Sequence, residues 1–297
     1  MDNQSLWQDV SAEIAKSTGS AFKFKSIMPV HGGDINTAYR LQGTDTCYFV
    51  KLNRADRLFM FAAEVQGLKE IADSQTLRVP DVIACAASGH QAFLVLEYID
   101  FGRFNPSSWR LLGRQLAKLH RVRQPFFGWH RDNTIGSTLQ VNEQSNDWPQ
   151  FWQRQRLGFQ LQWAAERGYG GKLQRRGEQL SDSLAGLFSD YRPYPSLLHG
   201  DLWAGNVAVD GNSQPLVYDP ACYYGDREAD VAMTELFGGF GADFYAAYRE
   251  TWPLEPGYAV RKLLYNLYHV VNHLNLFGPG YLGQAEALIE RLLSELN

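Results

Sequence analysis

Short apolar runs and one long helical stripe alternate along the first hundred residues. "SLWQDVSAEIAKS" places Leu6, Val10 and Ile14 at helical spacing and predicts an N-terminal helix. "FKSIMPVHGGDINTAYRLQG" reads as two strands joined around Gly32 and Gly33. "TCYFVKLN", rich in aromatic and β-branched residues, reads as a third strand. "DRLFMFAAEVQGLKEIADS" predicts a helix with Leu58, Phe61, Ala62, Val65, Leu68 and Ala72 on one face. "VPDVIACAASGHQAFLVLEYID" predicts two more strands that turn at Ser88 and Gly89. The pattern therefore predicts a five-stranded, largely antiparallel sheet carrying one central helix.

After a short extended link at Glu97 to Asp100 the pattern changes. "SSWRLLGRQLAKLHRV" is helical, and "FFGWHRDNTIGSTLQVNEQSND" is a long loop without a clear period. Long ordered loops in a domain are often functional. Two helical segments follow, then the strand-like pair of "LLHGD" and the hairpin "NVAVDGNSQPLVYDP" with its Asp-Gly turn. Helices dominate from "READVAMTELFG" to the end. The fold class is α+β: a small β lobe over residues 1–97 and a larger, mainly helical lobe over 98–297. Two such lobes predict a ligand cleft between them.

The chain has 297 residues, 45% of them apolar and 20% charged, as in ordinary globular proteins. A net charge of -4 gives no general pull toward nucleic acid or an anionic membrane, so any phosphate site must be local. Neither a signal peptide nor a membrane span is expected. Cys47, Cys85 and Cys222 have no metal-type spacing and read as reduced cytosolic thiols, which suggests a cytoplasmic protein. Eight Trp residues could line a sugar site or fill a core.

"LLHGDLWAGN" separates Asp201 from Asn206 by five residues, the spacing of the kinase pattern H-R-D-L-x-x-x-N. There Asp is the base and Asn a metal ligand. Gly200 replaces the Arg, and a plain Asx-rich turn is the alternative. Asp219 follows at the end of the hairpin, and an amide with a carboxylate suits Mg²⁺. In the β lobe, Lys51 ends a strand and Glu64 lies on the helix that follows. A buried strand Lys needs a partner, and a Lys–Glu pair holding nucleotide phosphates is the kinase arrangement. Each residue alone is more often a solvated charge; their order along the chain is the specific signal. Gly32 and Gly33 could admit phosphate close to the backbone, or could simply turn a hairpin. The link could present backbone groups around Glu97, Tyr98 and Ile99 to a nucleotide base.

"LLHGDLWAGN", "DPACYYGDREADVAMTELFGGF" and "YHVVNHLNLFG", with "FGWHRDNTIG" and "WPQFWQRQRL", together resemble the fructosamine kinase (ketosamine-3-kinase) family over nearly the whole chain. Aminoglycoside and choline kinases are its broader relatives, with a protein-kinase-like fold. The resemblance implies ATP- and Mg²⁺-dependent phosphorylation of the O3′ hydroxyl of ketosamines, free or on glycated protein lysines, in deglycation repair. It carries over onto Asp201 as base, Asn206 and Asp219 as Mg²⁺ ligands, Lys51 with Glu64 as phosphate clamp, and Trp203 at the sugar-amine site. The glycine turn has Asp34 and no Cys, so a redox-linked dimer switch does not carry over. A monomer or weak homodimer is expected.

For the substrate, Asp226 could attract a cationic amine, or could join Arg227 and Glu228 in a structural ion-pair network. His269, Asn272 and His273 share a helix face, where they could bond hydroxyls or form a polar seam between helices. Asp230 is expected to tie the catalytic loop in place. The competing readings are an aminoglycoside- or choline-type kinase and a non-catalytic pseudokinase. The second predicts a missing Lys, Asp or metal ligand, and none is missing.

Overall fold

The computed structural model describes residues 3–31 and 35–296. Gly32 and Gly33 lie outside the described residues. The chain forms two compact units, Met1–Phe104 with Ala208–Asp219, and Asn105–Val207 with Pro220–Asn297.

The first unit begins with α1 (Asn3–Thr18), followed by β1 (Ser26–Val30), β2 (Thr37–Gln42) and β3 (Cys47–Arg54). Helix α2 (Leu58–Asp73) and strands β4 (Val82–Ser88) and β5 (Gln91–Glu97) complete the run. The expected five-stranded sheet is present, in the order β1-β2-β3-β5-β4 with all neighbours antiparallel. Strand side chains alternate between faces. Val50 and Leu52 of β3 join Leu41, Phe93 and Val95 in a core closed by Leu6, Trp7, Val10 and Ile14 of α1. Each such aliphatic side chain contributes about 1.5–3 kcal/mol on burial. Lys51, between Val50 and Leu52, therefore points to the other face, toward α2.

The buried face of α2 is Met60, Phe61, Ala63, Gly67, Leu68 and Ile71. This corrects the face read from the sequence: Phe61 and Leu68 are on it, Leu58, Ala62 and Val65 are half-buried, and Ala72 is exposed. So many apolar residues make a stripe too wide to fix its own centre.

The second unit is mainly helical. Helix α3 (Pro106–Leu119) starts with a capping box, in which Asn105 Oδ1 accepts from Ser108 N–H and Ser108 Oγ accepts from Asn105 N–H. The segment read as a long loop contains a short hairpin, β6 (Asn133–Ile135) and β7 (Thr138–Gln140). Three-residue strands are too brief to show a period. Helix α4 (Trp148–Phe151) runs through a π-helical stretch, Trp152–Gly158, into α5 (Phe159–Glu166), and α6 (Lys172–Ser183) follows. Strand β8 (Ser196–Leu198) is fully buried. The hairpin β9 (Val207–Val209) and β10 (Pro215–Val217) groups mostly with the first unit. Strand β11 (Tyr223–Gly225), which the sequence reading did not separate, pairs with β8. Helices α7 (Glu228–Leu236), α8 (Ala242–Thr251), α9 (Tyr258–Phe277) and α10 (Leu282–Glu295) end the chain. Helix α9 is buried along most of its length, against α5, α7 and α10. Among the described residues no helix is long and apolar enough to cross a membrane.

Candidate active site

In the first unit, Lys51 Nζ donates to Glu64 Oε1 at 2.6 Å and to Asp219 Oδ1. The Lys51 side chain is buried and that of Glu64 is 12% exposed, whereas the Asp219 side chain is 42% exposed. Burial alone lowers the Lys51 pKa, but the charges of Asp219 and Glu64 more than reverse this and hold the ammonium protonated. Burial pushes Glu64 above the ordinary carboxylate range, against the pull of Lys51. Asp219 has a φ of 57°, in the left-handed region, where a non-glycine residue stores about 1 kcal/mol or more of strain. Strain at a residue with an exposed carboxylate beside a buried cation makes Asp219 a candidate functional position.

The link residues are placed as follows. Glu97 N–H donates to Asp81 O at 2.8 Å, and its carboxylate accepts from Arg78 Nη2 at 2.8 Å. Tyr98 lies under the Arg40 guanidinium, 4.6 Å from the ring centroid. Ile99 is half-buried. Arg78 also reaches Asp210, a link that sequence reading missed.

In the second unit, β8 delivers His199, Gly200 and Asp201. Asp230, in the first turn of α7, accepts from His199 N–H at 2.7 Å and Gly200 N–H at 2.9 Å, so it does tie the loop. Burial alone raises the Asp230 carboxyl; the His120 hydrogen bond and charge, His199 and Gly200 N–H carry it below its ordinary value. His120 Nε2 lies 3.2 Å from Asp230, and its Nδ1 lies 2.8 Å from the Tyr248 hydroxyl. Gly200 has φ +82°, and a Cβ there would sit 2.1 Å from Ala221 O. Ala221 N–H in turn donates to His199 O at 2.9 Å. Only glycine fits, which explains why this loop reads His-Gly-Asp.

Asn206 Nδ2 donates to Asp201 O at 2.8 Å and to Asp201 Oδ2 at 3.1 Å. The amide thus fixes the carboxylate and leaves its own oxygen as the atom to meet a cation. Trp203 is 39% exposed, and its indole covers Gly205, where a Cβ would sit 2.3 Å from the ring.

Of the remaining substrate candidates, Asp226 and His269 are buried and His273 is half-buried. Asp226 accepts from Tyr191 OH at 2.8 Å, Tyr265 OH at 2.5 Å and Glu228 N–H at 3.0 Å. That carboxylate braces the entry to α7. His269 Nδ1 has no hydrogen-bond partner among the described residues. Burial, then nearby His273, lowers its pKa to about 3. His273 Nδ1 lies 2.8 Å from His269 O, and its ring packs against Phe237, Phe277 and Tyr281. Asn272 accepts from Thr138 at 2.6 Å and Gln160 at 3.1 Å, so this residue lies in a polar seam between elements.

Sequence reading also missed the network that supports the loop from below. Asn133 donates to Cys222 O at 2.7 Å and Gln140 to Ala221 O at 3.2 Å, while Tyr268 OH donates to Gln140 Oε1 at 2.8 Å. Arg156, fully buried in the π-helical stretch, donates to Asn142 Oδ1 at 2.7 Å and to Val141 O at 2.6 Å. π-Helical turns recur at functional sites, the one local signal that would have pointed here.

Residues 6–295 match the model of the fructosamine kinase family. A probable ketoamine kinase of Synechocystis sp. is 45% identical over 288 residues, 97% of each chain. The chloroplastic protein-ribulosamine 3-kinase of Arabidopsis thaliana is 40% identical over 97% of this chain and 89% of its own. A solved protein of Haemophilus somnus 129PT, described as a fructosamine-3-kinase candidate, superposes with a TM-score of 0.90 at 31% identity over 97% of each chain. The aminoglycoside phosphotransferase APH(4)-Ia, solved elsewhere with ADP and hygromycin B, is 14% identical with a TM-score of 0.63 over 96% of this chain and 98% of its own. That likeness shows the shared protein-kinase-like fold.

Proposed function

We propose, because the chain belongs to the fructosamine kinase family, that this kinase transfers the γ-phosphoryl group of ATP to the O3′ hydroxyl of ketosamines, the amine-linked sugars left by glycation. The observation that carries the reading is the Asp201 carboxylate, held by the Asn206 amide on a loop tied down by Asp230. A sugar hydroxyl is a weak nucleophile. Asp201 orients it and takes its proton late in the transfer, so an ordinary carboxylate suffices. Lys51 is kept protonated by two carboxylates and offsets charge on the nucleotide phosphates. The backbone of Glu97, Tyr98 and Ile99 meets the base, and Gly32 and Gly33, outside the described residues, are the candidates for backbone contact with the phosphates.

The donor set fits Mg²⁺. Asn206 Oδ1 and the Asp219 carboxylate are hard oxygen ligands, and few protein ligands suffice when phosphates and water complete the shell. Among the described residues there is no cluster of three or more His, Cys, Asp or Glu that would form an all-protein metal cage. Bound there, the ion would neutralise phosphate charge. Trp203 offers its exposed indole to the sugar-amine substrate. His269 and His273, on α9, are the further candidates for contact with that substrate. The three free cysteines, Cys47, Cys85 and Cys222, suit a reducing compartment such as the cytoplasm.

The test is incubation with Mg-ATP and a panel of ribulose-, fructose- and erythrulose-derived lysine adducts, beside an aminoglycoside and choline. Phosphate on O3′ of a ketosamine, located by ³¹P and ¹H NMR, is the expected product. Transfer only to the aminoglycoside or choline would refute the reading.

A further inference from the structure

We propose that Arg78 is a positioning residue for the bound nucleotide, acting through Glu97 and Asp210; this rests on the kinase reading above. Arg78 lies between α2 and β4, and its backbone pairs with β10, Val217 N–H donating to Arg78 O at 3.0 Å. The guanidinium forks. Nη2 donates to Glu97 Oε1 at 2.8 Å and Nη1 to Asp210 Oδ2. The second Glu97 oxygen accepts from Asp81 N–H at 3.3 Å. The second Asp210 oxygen accepts from the N–H groups of Asn212 and Gln214, each at 2.9 Å. One planar cation therefore ties the start of the link segment to the hairpin that ends at Asp219.

Those two segments serve opposite ends of the same ligand. The link carries the backbone groups for the base, and Asp219 shares Lys51 and serves the phosphate end. A guanidinium with two donor edges sets both separation and angle, which an ammonium cannot. The Arg78 and Glu97 side chains are 36% and 32% exposed, and ion pairs so placed contribute little to stability. Geometry is what such a pair contributes. Other contacts hold the same segments together: Gly102 N–H donates to Val209 O at 2.8 Å, and Phe101 stacks on Tyr218 at 5.7 Å. These contacts are expected to hold the unit together when Arg78 is changed.

Arg78→Lys keeps the charge and loses the fork. Asp210→Asn keeps an amide oxygen to cap Asn212 and Gln214, and so turns its NH₂ toward Arg78 and opens the clamp. Mg-ATP binding to the full chain is measured by calorimetry, and KM for ATP and for a ketosamine by a coupled assay. Both variants are expected to raise Kd and KM for ATP about tenfold, the scale of one charge-assisted hydrogen bond. The ketosamine KM should stay within about twofold. A purely structural role would reduce the active fraction and leave the ATP Kd unchanged. Should Arg78→Lys fail to fold, Asp210→Asn carries the test. An ATP Kd within about twofold of wild type in the folded variants overturns the proposal. A wild-type chain that binds no Mg-ATP overturns the kinase reading as well, whereas wild-type binding beside indifferent variants removes only the role of Arg78.

Discussion

Replacing Gly200 by Ala loads the loop that carries Asp201 where it packs against Ala221. The new methyl would sit 2.1 Å from Ala221 O and 2.8 Å from Ala221 C, both backbone atoms. Relief to an ordinary contact needs a shift of about 1 Å in one of two segments that are hydrogen-bonded to each other. That shift pulls on His199 O, which accepts from Ala221 N–H at 2.9 Å, and on Gly200 N–H, bonded to Asp230 at 2.9 Å. The left-handed φ of +82° adds about 1–2 kcal/mol for a residue with a Cβ. One strained buried hydrogen bond to a carboxylate and one to a carbonyl add about 2–3 kcal/mol. The expected loss is about 3–5 kcal/mol, read from the urea midpoint at unchanged m. Turnover should fall further, because Asp201 is the next residue. Gly211→Ala is the control: nothing lies within 4 Å of its Cβ position, and a change within about 0.5 kcal/mol is expected. If Gly200→Ala costs under about 1 kcal/mol, the tight contact with Ala221 is not what selects glycine here.

Asp201→Asn should lower single-turnover phosphoryl transfer about 10²–10⁴-fold, with the calorimetric Mg-ATP Kd within about twofold; near-wild-type turnover would remove Asp201 as base. Lys51→Met should weaken Mg-ATP binding about 10- to 100-fold, and Lys51→Arg should not restore it, because the site between Glu64 and Asp219 fits a point charge; full rescue by Arg would contradict that geometry. His269 has an ordinary pKa of 6.5 and a folded value of about 3, so the unfolded chain takes up the proton first. Its contribution is complete above about pH 6.5 and is lost as pH falls toward 3, about 2 kcal/mol by pH 5. His269→Gln should therefore lose less stability than wild type between pH 7 and 5, and parallel losses in urea melts would show that His269 does not titrate this way.

Most of the small sheet was legible because strand alternation and turn residues are local signals. Val50, Lys51 and Leu52 illustrate this, since the alternation that buries the two aliphatics forces the lysine toward α2. The order Lys51, Glu64, Asp201, Asn206, Asp219 carries the proposed site for a different reason: one chemistry would use each type, so the set is informative where its members are not. The support beneath the loop was not legible. Asn133 and Gln140 find their partners at Cys222 and Ala221, more than eighty residues away, and no periodicity encodes such a pairing. Arg78 looked like any surface arginine until Glu97 and Asp210 were seen on either side of it. The face of α2 was misread because its apolar residues nearly encircle it.

The allotment of Ala208–Asp219 to the first unit has a consequence for modular design. A fragment ending at Phe104 would retain the five strands and both helices, yet would lack Asp219 beside Lys51 and Asp210 beside Arg78. It would leave one buried ammonium short of a counter-ion and one guanidinium half-engaged. The amino-terminal third is therefore not a transplantable cassette. A chimera that swaps it between relatives must carry the distant twelve-residue hairpin with it, and recombination breakpoints that respect the linear order of the chain will separate parts that pack as one.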